Sequence, residues 1–191
     1  MIYIKRQIKW GNILVAIDQN THIAGLWFEG QKYFPNIPED ACFIETLSEK
    51  ELEVILPNKA TLKDIHKLID TFDRQMREYE AGNRQSFELP LSPIGSEFRQ
   101  KVWKVLLEIP LGETTTYGAI SKKVAKGLGK LSMSAQAIGG AVGHNPISLI
   151  IPCHRVVGAQ GQLTGYAGGV DKKAAILYHE GVKVEGSFVV D

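Results

Sequence analysis

The hydrophobic pattern changes its period within the first eighty residues, and this change limits the folds open to the chain. Short apolar runs at 2–8, 12–17 and 23–28 are separated by polar or glycine-containing breaks, as is typical of strands in an antiparallel meander. From position 61 the spacing becomes helical, with Thr61 and Asp64 placed as a capping pair. The apolar face of that helix is Leu62, Ile65, Leu68, Ile69, Phe72 and Met76. The sequence therefore predicts a small sheet with a helix packed on it.

A segment without periodicity follows and divides the chain. Residues 81–93 contain Gly82, Asn83, Pro90 and Pro93, which favour loop structure. We therefore expect two domains, an α/β domain over 1–88 and a second domain over 89–191.

The second domain is predicted to be mainly helical. Ser96 begins a helix that Pro110 ends. Its predicted apolar face is Phe98, Val102, Val105, Leu106 and Ile109. Two further helices, at 117–125 and 134–142, flank a Gly/Lys-rich connection at 126–130. This arrangement indicates a helix-turn-helix whose second helix would enter a DNA groove, although the connection is longer than the usual turn.

Charge is distributed unevenly along the chain. Residues 1–90 carry 11 Lys/Arg against 14 Asp/Glu, whereas residues 91–191 carry 11 against 7. Residues 114–170 contain no acid, and their basic residues are Lys122, Lys123, Lys126, Lys130 and Arg155. Such a stretch is either a solvated face or, as we favour, a surface that meets the phosphates of a nucleic acid.

The cysteine count and the hydropathy indicate a cytoplasmic protein. The chain has two cysteines, Cys42 and Cys153, in unlike contexts, so we expect reduced thiols and no disulfide framework. No apolar run reaches the ~18 residues of a membrane span, and charges interrupt the first ten residues. We therefore expect neither a membrane anchor nor a secretory signal.

Cys153 stands in the stretch with the clearest chemistry. A predicted buried strand at 149–151 leads into Pro-Cys-His-Arg, where His154 and Arg155 offer a base and a cation that favour the thiolate. Because neighbouring residues of extended backbone point to opposite sides, we expect a water to link His154 to the sulfur. Glu180, at the end of a predicted helix over 171–180 that Gly181 stops, is the candidate acceptor for the other nitrogen of the His154 ring.

Other interpretations of these residues stay open on the sequence alone. A lone buried cysteine is often an inert core residue, more so for Cys42 than for Cys153. A thiol hydrolase also uses Cys and His, but usually from distant positions in the sequence. The remaining histidines show no metal-ligand spacing with either cysteine, so we expect no metal.

Three motifs stand close together in the second half: Asn-Pro at 145–146, Ile-Pro-Cys-His-Arg-Val at 151–156 and Gly-Tyr-Ala-Gly-Gly at 165–169. Together they resemble the O6-alkylguanine-DNA alkyltransferase family, also called methylated-DNA–protein-cysteine methyltransferases. The resemblance covers most of the second half and, more loosely, the first half. It implies an N-terminal α/β domain of ribonuclease-H-like shape and a C-terminal domain with a winged-helix-like helix-turn-helix.

The resemblance also implies the catalytic residues. Cys153 would accept the alkyl group, and His154, Glu180 and a water would form the relay that makes it a thiolate. Asn145 would hold the turn between the recognition helix and the active-site strand. Because a thioether is not readily reversed, one molecule would repair one lesion, and no cofactor is required.

The residues that would bind DNA follow from the same resemblance. Tyr117 would rotate the target nucleotide and donate to the guanine ring or its phosphate, Val156 and the Cys153 carbonyl would meet the exocyclic amine, and Tyr166 would wall the pocket. Two positions depart from the family: Gln136 stands where an intercalating arginine is usual, and Ala167 stands where a hydroxyl donor is usual. Backbone amides would then serve guanine O6.

The function implied is direct-reversal DNA repair by a monomer, in single-turnover transfer from O6-alkylguanine, with O4-alkylthymine as a second substrate, in double-stranded DNA. A non-catalytic lesion-binding protein of the same fold is the main alternative, and the presence of Cys153 argues against it. A helix-turn-helix transcription regulator would not need Cys153, and a thiol hydrolase would turn over.

Overall fold

The structure is a computed structural model, which describes residues 1–46, 50, 51, 54 and 62–190. Thr61, half of the predicted capping pair, lies outside the described residues.

The N-terminal part is built on a mixed sheet. Strands β1 (Ile2–Ile8), β2 (Gly11–Ile17) and β3 (Ile23–Phe28) form the predicted antiparallel meander. A short strand β4 (Cys42–Phe43) pairs in parallel with β1, so the order is β3-β2-β1-β4. The prediction of a purely antiparallel sheet was therefore wrong at this edge, because two residues are too few to show a strand period.

Helix α1 (Leu62–Glu80) packs on that sheet as predicted. Its buried residues also include Gln75, and the buried face continues for one more turn after Met76, to Tyr79. The chain leaves the helix at Gly82, whose φ of 76° is a left-handed conformation that glycine adopts without strain.

Helix α2 (Glu97–Leu106) begins where expected, with the Ser96 side chain accepting a hydrogen bond from Arg99 N. Its fully buried residues include Trp103, which the predicted apolar face left out. The indole Nε1 of Trp103 donates to Ala141 O at 2.8 Å, so this residue ties α2 to the rest of the helical part.

The predicted pair of helices is present as α3 (Tyr117–Gly127) and α4 (Ala135–Gly143). Thr116 and Ser134 cap their amino ends through side-chain oxygens. Helix α5 (Val170–His179) ends with Glu180 as C-cap before Gly181, as the sequence predicted. Strands β5 (Thr115–Thr116) and β6 (Val156–Val157) pair in parallel, and β7 (Val184–Glu185) pairs antiparallel with β8 (Phe188–Val189).

One hydrophobic cluster includes side chains from the sheet, from α1 and from the helical part. Backbone hydrogen bonds cross between the two parts as well: Leu26 N donates to Pro146 O and Ser148 N donates to Leu26 O, both at 2.8 Å. The α/β part therefore supports the segment that leads to Cys153. Among the helices that the structure describes, none has the length and apolar character needed to cross a membrane.

Candidate functional site

The segment before Cys153 is a compact turn, not the strand that was predicted at 149–151. Ile147 makes an isolated parallel bridge with Leu26, and Leu149 then adopts a φ of 67°, which ends any extended run. Residues Cys153–Arg155 form one turn of 3-10 helix. The apolar run at 149–151 therefore indicates burial and not a strand. In a short apolar run, the hydrophobic period alone cannot distinguish a buried strand from another buried segment.

Cys153 lies buried in this 3-10 turn, with 5% of its surface exposed. Its Sγ accepts a hydrogen bond from Asn145 Nδ2 at 3.1 Å. Burial raises the pKa of the thiol, while Asn145 and the charge of Lys173 act in the opposite direction. The site therefore contains two groups that favour a thiolate in a place where burial disfavours it.

Asn145 also fixes the shape of the turn. Its Nδ2 donates to Ile151 O at 2.7 Å, and its Oδ1 accepts from Ile147 N at 3.1 Å. The structure thus brings Asn145 into contact with both the turn and the sulfur, although the sequence analysis anticipated only the turn.

His154 and Glu180 are brought together as predicted. His154 Nε2 lies 3.1 Å from Glu180 Oε1, and both side chains are fully buried. Burial lowers the pKa of His154 against the opposing effect of Glu180. Burial alone would raise the pKa of Glu180, but hydrogen bonds from His154 and Arg155 lower it to about 2. Glu180 is therefore a carboxylate at neutral pH.

The other ring nitrogen, His154 Nδ1, is buried and has no hydrogen-bond partner within the described part of the chain. Cys153 and His154 lie in a 3-10 turn, so the extended backbone predicted for this pair is absent and their side chains are not placed on opposite sides of a strand. The described hydrogen bond to Cys153 Sγ nevertheless comes from Asn145 and not from His154.

Arg155 does not belong to a DNA-facing surface, contrary to the prediction from charge. It is 7% exposed, and its Nε and Nη2 donate to Glu180 Oε2 and Oε1 at 2.8 and 2.7 Å. Its Nη1 donates to Ile109 O at 2.6 Å. A buried guanidinium needs a paired anion, and Glu180 provides it.

Lys173 is a part of the site that the sequence analysis missed. Its side chain is fully buried, and Nζ donates to Val156 O at 2.6 Å and to Thr164 O at 2.9 Å. Burial lowers the pKa of Lys173 to about 8. Its position on the same face of α5 as Ile176 and Leu177 was the available signal, since residues three and four apart share a helix face.

The pairing of β5 with β6 brings Tyr117 to the site. Tyr117 follows β5 directly as the first residue of α3, and its hydroxyl lies 3.4 Å from Thr164 O, for which it is the donor. Burial raises the pKa of Tyr117. The phenol is therefore a neutral hydrogen-bond donor at the loop that precedes α5.

Tyr166 and Ala167 belong to this loop, and Lys173 Nζ links the loop to Val156 through Thr164. Val156 is fully buried, and its carbonyl accepts from Lys173, while its amide donates to Cys153 O. The Tyr166 ring lies edge-on to His154 with 6.4 Å between centroids, and burial raises its pKa well above the usual range. Ala167 O accepts from Lys32 N at 2.9 Å, which ties this loop to the α/β part.

Gln136 is separate from this cluster. It is exposed in the first turn of α4. Exposed lysines of α3 and of the connection that follows it form what we call the lysine face: Lys122, Lys126 and Lys130. Lys123 is also exposed but is hydrogen-bonded to Glu108, so it is partly neutralised. No group of three or more His, Cys, Asp or Glu that could hold a metal ion occurs among the described residues.

Comparison with known proteins gives consistent matches. The family described as "6-O-methylguanine DNA methyltransferase, DNA binding domain" matches residues 97–182. A protein named methylated-DNA–protein-cysteine methyltransferase from Methanosarcina acetivorans is 48% identical over 108 residues, which are 56% of this chain and 66% of that protein. The chain thus matches just under two thirds of the length of this relative.

In two further matches, this chain covers a larger share of the matched protein. A protein of the same name from Shigella flexneri is 42% identical over 132 residues, 63% of this chain and 74% of that protein. The crystal structure of Mycobacterium tuberculosis OGT in complex with DNA is similar with a TM-score of 0.70 at 30% sequence identity, covering 94% of this chain and 92% of that one. The similarity therefore includes both the α/β part and the helical part.

Proposed function

The chain belongs to the methylated-DNA–protein-cysteine methyltransferase family, and from that premise we propose that it repairs DNA by moving an alkyl group from guanine O6 to Cys153. The observation that carries the proposal is the setting of Cys153 Sγ. The sulfur is buried and accepts a hydrogen bond from Asn145, and the neighbouring His154 is held by Glu180, while its Nδ1 has no hydrogen-bond partner among the residues that the structure describes.

The transfer balances as a single displacement. The Cys153 thiol gives its proton through a water to His154 Nδ1, whose acceptance is supported by Glu180 at the opposite nitrogen. The sulfur then forms a bond to the alkyl carbon while the bond from that carbon to O6 breaks, and its electron pair goes to the base. The base takes up one proton from solvent at its ring nitrogen, which balances the proton that the thiol gave to His154. The Tyr117 hydroxyl, which stays protonated because burial raises its pKa, would donate a hydrogen bond to the guanine ring.

The burial of Cys153 requires the target base to leave the duplex. With 5% of the residue exposed, an alkyl group within stacked DNA cannot reach the sulfur, so the nucleotide must be flipped at a cost of a few kcal/mol. Val156, Tyr166 and the Cys153 carbonyl would receive the base. The carbonyls of Cys153 and Val156 each already accept a hydrogen bond, so the exocyclic amine would use their second lone pairs.

DNA binding is assigned to α3, α4 and the lysine face, acting as a helix-turn-helix of winged-helix-like type. The exposed lysines Lys122, Lys126 and Lys130 would contact phosphates. Gln136 in the first turn of α4 would fill the space of the flipped base. With Ala167 in place of a hydroxyl donor, backbone amides would bind O6, which leaves room for alkyl groups larger than methyl.

The organisation of the whole chain follows from the same proposal. Residues 1–88 would form a ribonuclease-H-like domain, and residues 89–191 would form the domain that binds DNA and transfers the alkyl group. The protein would act in the cytoplasm as a monomer.

Base analysis of a repaired oligonucleotide tests the function. Duplex DNA with one O6-methylguanine is incubated with substoichiometric protein, and the released nucleosides are separated by chromatography. We expect conversion to guanine that stops at one base per protein molecule, and none with Cys153→Ser, which should still bind the duplex because phosphate contacts do not involve sulfur. Conversion beyond one equivalent, or conversion by Cys153→Ser, would reject the proposal.

A further inference from the structure

Tyr79 belongs to the α/β part but contacts the relay directly. It lies in the last turn of α1, 101 residues from Glu180, and its hydroxyl donates to Glu180 Oε1 at 2.6 Å. The side chain is 1% exposed. Burial, and next the charge of Glu180, raise the pKa of Tyr79, so the phenol stays protonated and is the donor in this bond.

The same carboxylate oxygen receives two other donors. Arg155 Nη2 lies at 2.7 Å and His154 Nε2 at 3.1 Å from Glu180 Oε1. Since a carboxylate only accepts, Nε2 carries a proton and Nδ1 of the neutral ring holds the lone pair. Tyr79 therefore competes with His154 for the electron density of one oxygen atom.

We propose that Tyr79 is a positioning residue that acts through Glu180 to keep the His154 ring unprotonated, and so available as a base. This inference rests on the proposed function, because it assigns His154 the task of taking the thiol proton. A carboxylate that accepts a hydrogen bond from an imidazole stabilises the protonated form of that ring. When the same oxygen also accepts a hydrogen bond from a phenol, it stabilises the protonated ring less.

The carboxylate keeps its place without Tyr79. Arg155 holds both oxygens of Glu180 in a bidentate pair, which fixes their orientation. Removal of the phenol oxygen should therefore strengthen the bond to His154 rather than release Glu180. The titratable groups that face His154 or Tyr79 are Cys153, Arg155, Tyr166, Lys173, His179 and Glu180.

The Tyr79 ring is held independently of its hydroxyl. It packs against Trp10, Phe87 and His179 with centroid separations of 5.6, 5.2 and 5.4 Å. Tyr79→Phe should therefore leave the ring in place and remove only the hydrogen bond. Tyr178→Phe is the matched control, because Tyr178 is 74% exposed and loses the same atom on a nearby helix.

The first measurement is the titration of the His154 ring by nitrogen NMR, in protein without DNA, with its signals assigned by comparison with His154→Gln. We expect the His154 midpoint to move to higher pH in Tyr79→Phe and to stay unchanged in Tyr178→Phe. An unchanged or lower midpoint in Tyr79→Phe would overturn the inference.

The second measurement is the rate at which iodoacetamide alkylates Cys153, in a Cys42→Ser background, from about pH 8 down to about pH 4, because burial lowers the pKa of His154 below that of a free histidine. The rate of Tyr79→Phe divided by that of its parent should rise with pH, by about fivefold across the His154 titration, as expected for one lost hydrogen bond. A ratio that is the same at every pH would mark a purely structural role and overturn the inference. Neither measurement uses DNA, so a failure of alkyl transfer would be recognised separately.

Discussion

Lys173→Met replaces a buried cation with an apolar side chain of similar length, and its effect on stability should change sign with pH. Lys173 is fully buried, and burial lowers its pKa from 10.5 to about 8. At 1.36 kcal/mol per unit, the folded protein loses about 3 kcal/mol by keeping this lysine charged at neutral pH. Methionine removes that cost but loses the hydrogen bonds from Lys173 to Val156 O and Thr164 O, at about 1 kcal/mol each.

The sign of the pH dependence follows from proton binding. Between pH 8 and 10.5 the unfolded chain holds a proton on Lys173 that the folded chain has released, so the stability of the parent rises with pH in this window. We therefore expect Lys173→Met to be more stable than the parent by about 1 kcal/mol at pH 7 and less stable by about 2 kcal/mol above pH 10.5.

Urea denaturation at several pH values, followed by tryptophan fluorescence, measures the difference between parent and variant. The difference between the two free energies of unfolding cancels the titration of the groups that both proteins share and that do not interact with Lys173. The same variant should alkylate Cys153 about tenfold more slowly or worse at pH 7, because the thiolate loses a neighbouring positive charge. A stability difference that does not vary with pH would refute the reasoning.

Three further predictions concern the relay and the duplex. His154→Ala or Glu180→Ala should slow transfer and raise the apparent thiol pKa; an unchanged pH profile of the transfer rate would contradict the relay. Asn145→Ala should lower the free energy of unfolding by about 2 kcal/mol and slow Cys153 alkylation, since it removes the donor to the sulfur and leaves turn groups unpaired; parent-like stability in urea would speak against this. Gln136→Ala should slow repair of duplex but not of single-stranded substrate, and Gln136→Arg should steepen the salt dependence of duplex binding by up to about one counterion; equal losses on both substrates would reject the stacking role.

Several regular elements could be predicted from their hydrophobic pattern. The strand at Ile2–Ile8 and the face of α1 follow from period, since core residues recur about every second position in a strand and every third or fourth in a helix. The strand at Ile23–Phe28 is buried at five of its six positions, so a short apolar run and not alternation marks it. The strand β4 could not be found in this way, because two residues carry no period. The turn at Leu149 was missed because its apolar side chains are as buried as those of a strand.

Site residues could be predicted where they are adjacent in one sequence motif or stand at the end of a predicted helix. Cys153, His154 and Glu180 were placed together from the sequence and from the resemblance, and the structure brings the last two into contact. Tyr79 and Lys173 could not be assigned to the site, because their roles depend on where a tertiary fold aims one polar atom. Arg155 was misplaced for the same reason, since the sequence does not show which charges are buried.

Peptide mapping by mass spectrometry tests the central claim most directly, because it locates the alkyl group on one atom. Protein incubated with excess duplex that contains O6-methylguanine is digested, and the peptides with Cys42 and Cys153 are compared. We predict that the Cys153 peptide alone gains a methyl group in place of a proton, with one equivalent at most, and that Cys153→Ser gains none. A methyl on Cys42, or a second equivalent on any peptide, would contradict the account.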